Sequence, residues 1–221
     1  AHCYERALLS GVCDNLVIAT PDQEIIDWAT QFEIPSVLTS HSHKRATERA
    51  KETLDILTND GLHYDLVLLL QGDEPQIFPE DIGNLKQAFS NNELEVVNLV
   101  FPLSDDGLED PNVVKVALDK NLTIHFFTRS HIPHDCISGY RQLGMIGLTK
   151  KALNNYVSLP PTSLEEVESI DMMRLIENDF SIQGVLSTSP ILGVDTQQDL
   201  KKVEKIMTND KFVNLYKEKY I

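Results

Sequence analysis

The aliphatic run Leu66-Val-Leu-Leu-Leu70 leads directly into Gln71-Gly-Asp73-Glu-Pro75, so an apolar stretch ends in carboxylates beside a glycine. A continuous apolar run bounded by turn residues reads as a strand buried on both faces. Open α/β sheets bind ligands outside the carboxyl ends of their strands. Asp73, next to a glycine that lets backbone and ligand approach closely, is placed there to hold Mg²⁺. An ordinary polar loop fits the same residues. A second carboxylate lies in Gly193-Val-Asp195-Thr-Gln-Gln-Asp199, where Thr196 and Asp199 read as a capping box with Asp in place of Glu. Alone that stretch is a helix start. Paired, Asp73 and Asp195 supply the one or two protein carboxylates Mg²⁺ takes before water and phosphate oxygens complete its shell.

Two further clusters carry charge. His43-Lys-Arg45-Ala-Thr-Glu-Arg49 is a basic loop entering a helix, where backbone N–H groups and the helix dipole suit a nucleotide; a solvated charged face is the alternative. Glu165, Glu168 and Asp171 recur every three residues in a stretch ending at Arg174, which predicts one acidic side of a single helix over residues 164–177. Such a row binds a cation, an arginine or substrate hydroxyls, or is simply an exposed stripe.

The whole chain narrows the function classes. A formal net charge of −15 over 221 residues argues against nucleic-acid polymers, which need a basic footprint. It leaves room for a small anionic substrate held by local Arg and Lys. Hydrophobic content of 42% and charged content of 24% are those of one soluble globular domain, and no segment has the apolar length of a membrane span. Cys3, Cys13 and Cys136 form no CxxC pair, and the two close histidine pairs, His41/His43 and His131/His134, lack metal-site flanks. A reducing cytoplasm fits.

The elements that must position these residues alternate. Helices are expected at 2–9, 22–32, 46–57 and 79–89, between strands at 15–20, 36–39 and 66–70. That rhythm predicts parallel pairing through right-handed crossovers in a doubly wound sheet, with 66–70 as its central strand. From Glu95 the pattern changes to a strand at 96–100 and a hairpin of 113–118 and 123–127 turning at Asp119-Lys-Asn. A strand at 142–148, helices at 150–156 and 164–177, a strand at 181–186, a helix from Thr196 to Met207 and a short tail helix complete the chain. The sequence opens at Ala1 inside the first helix, so the natural N-terminus is expected to lie upstream.

Taken together, these residues resemble the CMP-KDO synthetases, the 3-deoxy-manno-octulosonate cytidylyltransferases related to the sialic-acid enzymes. The likeness rests on Gln-Gly-Asp-Glu-Pro at 71–75, His-x-x-Ala-Thr-Glu-Arg at 43–49 and Asn-Val-Val-Lys-Val at 112–116. Further on it rests on Thr-Arg-Ser-x-Ile-Pro at 128–133, Pro-Thr-Ser-Leu-Glu at 161–165, Glu-Ser-Ile-Asp-Met-Met-Arg at 168–174 and Gly-Val-Asp-Thr at 193–196. It covers nearly the whole chain in order.

The resemblance implies a three-layer α/β/α Rossmann-like nucleotidyltransferase fold with a mixed, mostly parallel sheet, whose residues 95–148 form a sugar-side and dimerisation lobe. It implies transfer of CMP from CTP to a keto-deoxy sugar acid, releasing pyrophosphate, for surface polysaccharide or lipopolysaccharide synthesis by a cytoplasmic homodimer. Asp73 and Asp195 would be the catalytic Mg²⁺ ligands. Arg45, Ala46, Thr47 and Arg49 would line the cytidine pocket, and Gln71, Arg129, Gln142, Glu168 and Asp171 would face the sugar acid.

Three departures stand out. A leading strand and a phosphate-wrapping loop rich in Arg and Lys, expected from the resemblance, are not in this sequence. Arg45-Ala46 stands where Ser-Gly is frequent. Gln142-Leu-Gly-Met-Ile146 replaces His-Leu-Gly-Ile-Tyr, and Asp171-Met172 replaces Glu-Gln, which removes an imidazole, a phenol and an amide from the acceptor pocket. Polar contacts discriminate sugars, so a different acid, such as a nonulosonate, another octulosonate or a phosphonate, is one alternative. A non-catalytic nucleotide-binding homologue is another.

Overall fold

A computed structural model of the chain describes residues 1–220 apart from Asn92, Thr188 and the side chains of Asp105 and Asp106. Its elements in order are α1 (His2–Ser10), β1 (Ile18–Thr20), α2 (Gln23–Gln31), β2 (Ser36–Leu38), α3 (Ala46–Asn59), β3 (Leu66–Leu70), α4 (Pro79–Ala88) and β4 (Val96–Ser104). There follow α5 (Asp105–Leu108), β5 (Lys115–Leu118), β6 (Thr123–Thr128), β7 (Ser138–Thr149), α6 (Lys150–Ser158), α7 (Ser163–Glu168), α8 (Met172–Ile176), β8 (Ile182–Leu186), α9 (Gln197–Met207) and α10 (Val213–Tyr216), with a closing 3₁₀ turn at Lys217–Tyr220.

Local chemistry sets many of these ends. α1 stops at Gly11, whose φ of +66° is the left-handed cap a glycine adopts without steric cost. Thr196 and Asp199 close the capping box of α9, each side chain bonding the other residue's backbone N–H. In the hairpin turn, the Asp119 carboxylate accepts from the N–H groups of Asn121 and Thr123.

The sheet corrects the expectation of a central β3. Among the described residues, β1 and β2 pair in parallel as a separate two-stranded sheet, and a six-stranded sheet runs β3-β7-β4-β8-β6-β5. β3 is therefore an edge strand, half-buried along its length, and only β4–β8 is parallel within the larger sheet. The antiparallel pairing comes from β7, which at residues 138–149 is far longer than expected. It inserts antiparallel between β3 and β4, and its early residues also reach β5. The sheet is mixed, as expected, but not mostly parallel. The 113–127 hairpin is part of this sheet through β8 and β7.

Apolar cores lie on both faces. Along β4, Val96 and Val100 join Ile146, Leu148, Leu54 and the α6 and α8 side chains, while Val97 and Leu99 join Leu143, Met145, Ile82 and Leu85. The two-residue alternation of a strand sorts them. Each such fully buried side chain stabilises the fold by about 1.5–3 kcal/mol. The C-terminal segment clasps α1: buried Arg6 meets Asp210 at 2.7 Å, and Glu5 takes Lys219 at 2.8 Å and the Tyr220 hydroxyl at 2.6 Å.

The single helix expected at 164–177 is broken. α7 ends on Ser169 in the left-handed region, φ +57°, and α8 starts only at Met172, so the three acids do not lie along one continuous helix. Among the described residues no helix is long and apolar enough to cross a membrane.

Candidate active site

The loop after β3 is pinned from several directions. Gln71 extends the ladder, its N–H donating to the Gly144 carbonyl at 2.9 Å. Glu74 turns back and accepts the Gly144 N–H at 2.8 Å. From α1, the Cys3 thiol lies 3.4–3.7 Å from the carbonyls of Gln71, Gly72 and Glu74. With its backbone held, Asp73 presents its side chain to solvent.

The second acidic loop docks on the first. The Val194 N–H donates to the Asp73 carbonyl at 2.9 Å, and the Leu192 N–H donates to Gln76 Oε1 at 3.2 Å. Arg141 of β7 bonds the Ile191 carbonyl. Asp195 is thereby carried to Asp73 from 122 positions away in sequence, leaving both carboxylates open to solvent.

Their electrostatics fit a cation. Though its side chain reaches solvent, partial burial of the Asp73 carboxylate pushes it above the ordinary aspartate value, and the Asp195 charge adds to the rise. Burial pushes Glu74 up to about 7, with Asp73 and Asp195 contributing, and its Oε2 is buried without a hydrogen-bond partner among the described residues. Among those residues no cluster of three or more His, Cys, Asp or Glu could enclose a metal. Two hard oxygen donors beside open solvent suit Mg²⁺, which keeps several waters and substrate oxygens, better than an ion needing an all-protein cage.

Beside this pair opens a cleft of about 1040 Å³, bounded by β1 and α3 on one side and β3 with its loop on the other. Ala46, Arg49, Gln71, Gly72 and Asp73 all line it. Arg49 is steadied by Thr39 Oγ1 at 2.5 Å and the Ser40 carbonyl at 3.2 Å. No pairing joins β1 to β3 among the described residues, so two strand edges face each other across the cleft.

The other residues singled out from sequence lie apart from its walls. Arg45 reaches away to Ser169 Oγ at 3.0 Å and the Glu165 carbonyl at 3.2 Å. Thr47 is fully buried and donates its hydroxyl to Asp171 at 2.6 Å. Glu168 accepts from Thr128 Oγ1 and from the Arg129 N–H, both at 2.9 Å, while the Arg129 guanidinium donates to the carbonyls of Pro111, Asn112 and Glu168. Gln142, on β7, donates to Asn98 at 2.7 Å. The break at Ser169 thus gives each acid of the presumed stripe its own partner. Glu165 forms a buried pair with Arg174, whose Nε lies 2.6 Å from Oε2.

Glu74, Asn98 and Val194 escaped the sequence reading as site residues. Glu74 stood inside a motif already quoted, but its tie to Gly144 depends on how β3 and β7 pair. The Val194 contact is made by backbone alone and leaves no mark on side-chain type.

An α/β sheet with a carboxylate pair beyond the end of a strand, next to a cleft, is the arrangement in which such sheets bind ligands. A family model described as cytidylyltransferase matches residues 1–185, and the chain belongs to that family. A 3-deoxy-manno-octulosonate cytidylyltransferase of Thermodesulfovibrio yellowstonii is 34% identical over 220 residues, spanning 93% of this chain and 86% of the relative. The Chlorobium limicola protein of the same name is 35% identical over 213 residues, 92% of this chain and 84% of its own. The structure of a CMP:2-keto-3-deoxy-manno-octonic acid synthetase complexed with CTP superposes with a TM-score of 0.82 at 29% identity, over 94% of this chain and 86% of that one. A glucose-1-phosphate thymidylyltransferase from Bacillus anthracis shares the fold, with a TM-score of 0.66 at 16% identity.

Proposed function

We propose that this chain transfers CMP from CTP to the 2-hydroxyl of 3-deoxy-manno-octulosonate, releasing pyrophosphate. The hydroxyl oxygen bonds to the α-phosphorus, the bond from that phosphorus to the oxygen bridging the β-phosphate breaks, and the hydroxyl proton is lost. The observation that carries this reading is the docking of Asp195 onto Asp73 beside a cleft lined by Ala46 and Arg49. It is supported by nearly full-length similarity to relatives bearing that enzyme's name.

CTP would enter the cleft with its base towards the start of α3, where the positive end of the helix dipole and the Arg49 guanidinium suit its acceptors. Asp73 and Asp195 would hold Mg²⁺, which when bound supplies charge neutralisation at the phosphoryl oxygens. Glu74 keeps Asp73 in place through Gly144. Gln71, Gln142 and Arg129 would orient the sugar acid, with Glu168 fixing the Arg129 backbone and Asp171 fixing Thr47. The remaining features follow the same reading: a three-layer nucleotidyltransferase, a homodimer built through residues 95–148, and a cytoplasmic role in lipopolysaccharide synthesis.

The test is pyrophosphate release with CTP and Mg²⁺ across a panel of keto-deoxy acids, with a no-acceptor control. Release with 3-deoxy-manno-octulosonate alone is the expected result. Release with a nonulosonate instead would replace the acceptor but keep the chemistry. Silence with no CTP binding would overturn the assignment.

A further inference from the structure

β4 and β7 do not run evenly together. Asn98 pairs with Ile146 and Val100 with Gln142, so the three residues 143–145 of β7 oppose Leu99 alone. A bulge of this kind leaves backbone groups without ladder partners. On the β3 side the ladder continues through it, the Gly144 carbonyl accepting from Gln71 and the Gly144 N–H donating to Glu74. The carbonyls of Leu143 and Met145 accept from Nδ2 of Asn98 at 3.0 and 3.3 Å, and that nitrogen also reaches the Leu99 carbonyl at 2.9 Å.

Three carbonyls around one end of a fully buried amide leave it no choice of orientation, since flipping it would set oxygen against oxygen. Its Oδ1 must therefore face Gln142, and at 2.7 Å only the Nε2 end of Gln142 can meet it. The second amide is thus oriented by the first. Gln142 Oε1 is left over, an acceptor with no partner among the described residues. Gln142 stands two positions before Gly144 on one face of β7, where the Gln71 side chain lies so close that a Cβ on Gly144 would fall 2.9 Å from its Cβ.

We infer that Asn98 is a positioning residue that fixes Gln142 with its carbonyl oxygen free for the acceptor, so that this position reads a substrate O–H donor and not the carboxylate. The inference rests on the proposed function, because it takes Gln142 as part of the acceptor pocket. A carboxylate brings only lone pairs and would be repelled by Oε1, whereas a sugar hydroxyl donates to it. A site built to bond a hydroxyl rejects the analogue lacking it far more strongly than a pocket that only fills space.

Monodeoxy analogues of the accepted sugar acid test this, with kcat/KM measured by pyrophosphate release for the natural chain, Gln142→Leu and Asn98→Ser. Asn98→Ser leaves a hydroxyl for the bulge carbonyls but withdraws the acceptor from Gln142. The natural chain should lose on the order of 100-fold or more on one analogue. Gln142→Leu should use that analogue and the parent sugar alike. Asn98→Ser should weaken discrimination at the same hydroxyl, with the KM for CTP unchanged. An active enzyme whose discrimination pattern is the same in the natural chain and Gln142→Leu overturns the inference alone. If Gln142→Leu relaxes discrimination but Asn98→Ser does not, Asn98 is no positioning residue. A natural chain silent with every keto-deoxy acid overturns the functional reading and the inference with it.

Discussion

The backbone N–H of Val194 donates to the carbonyl of Asp73 at 2.9 Å, and this bond fastens the loop carrying Asp195 to the loop carrying Asp73. It sets the spacing of the two carboxylates without using either side chain. Val194→Pro deletes the donor and no acidic group. The expected outcome is a stability loss of about 1 kcal/mol, as for one net hydrogen bond, with a much larger fall in kcat. Thermal melts and pyrophosphate release on the same preparation measure the two; a melt and a rate that decline only in proportion would rule out a positioning role.

Asp73→Asn removes charge but little volume. Pyrophosphate release should fall by about 10²-fold or more, because the cation loses a ligand. The melting temperature should hold or rise slightly, since the mutual repulsion with Asp195 that helps raise Asp73 is relieved. Asp195→Asn should behave alike. Retained turnover in either variant would remove that residue from the metal site.

Two glycines of β7 separate fold from site. A Cβ on Gly147 would lie 2.6 Å from Phe89 and 2.8 Å from Val97 in the core, so Gly147→Ala should cost about 1–3 kcal/mol by overpacking. A Cβ on Gly144 would meet the Gln71 side chain at 2.9–3.0 Å. Gly144→Ala should displace Gln71 and lower acceptor kcat/KM several-fold more than it lowers stability. Urea unfolding midpoints set against kinetic constants distinguish the two, and equal behaviour of both variants would contradict this division.

Arg174 and Glu165 form a buried pair, with Nη2 of Arg174 also 3.2 Å from Glu48. Arg174→Met leaves an uncompensated carboxylate inside and should cost about 3–5 kcal/mol. Burial works to raise Glu165, but the Arg174 hydrogen bond and charge outweigh it and hold the group below the 4.5 of a free glutamate. The unfolded chain then binds the proton more readily than the folded one. The pair's stabilisation is therefore complete above about pH 4.5 and is lost as pH falls through the lower folded value. Melting temperature followed downward from about pH 5 should drop more steeply for the natural chain than for Glu165→Gln/Arg174→Met. Parallel slopes would show that the pair does not set acid sensitivity.

What the sequence by itself determined is what residues a few positions apart decide: the Gly11 cap, the Thr196/Asp199 capping box, the Asp119 turn, and Gly72-Asp73 at a strand end. Each depends on groups within one turn of chain, so residue type and spacing suffice. The place of β3 was not legible, because an apolar run of five looks the same at the centre and the edge of a sheet. It is settled by pairing: β7, more than sixty residues later, takes one edge of β3, and among the described residues no strand takes the other. The acidic row was misread for a related reason: at Ser169 tertiary contacts of Glu165 with Arg174, Glu168 with Thr128 and Asp171 with Thr47 together outweigh helix continuity. The motifs already point to Asp73 and Asp195 as a pair, whereas the bond from Val194 to the Asp73 carbonyl that joins their loops, and the orientation of Gln142 by Asn98, belong to tertiary structure alone. The first is made by backbone groups and the second depends on bulge carbonyls that orient the Asn98 amide, and a backbone amide is the same in every residue except proline.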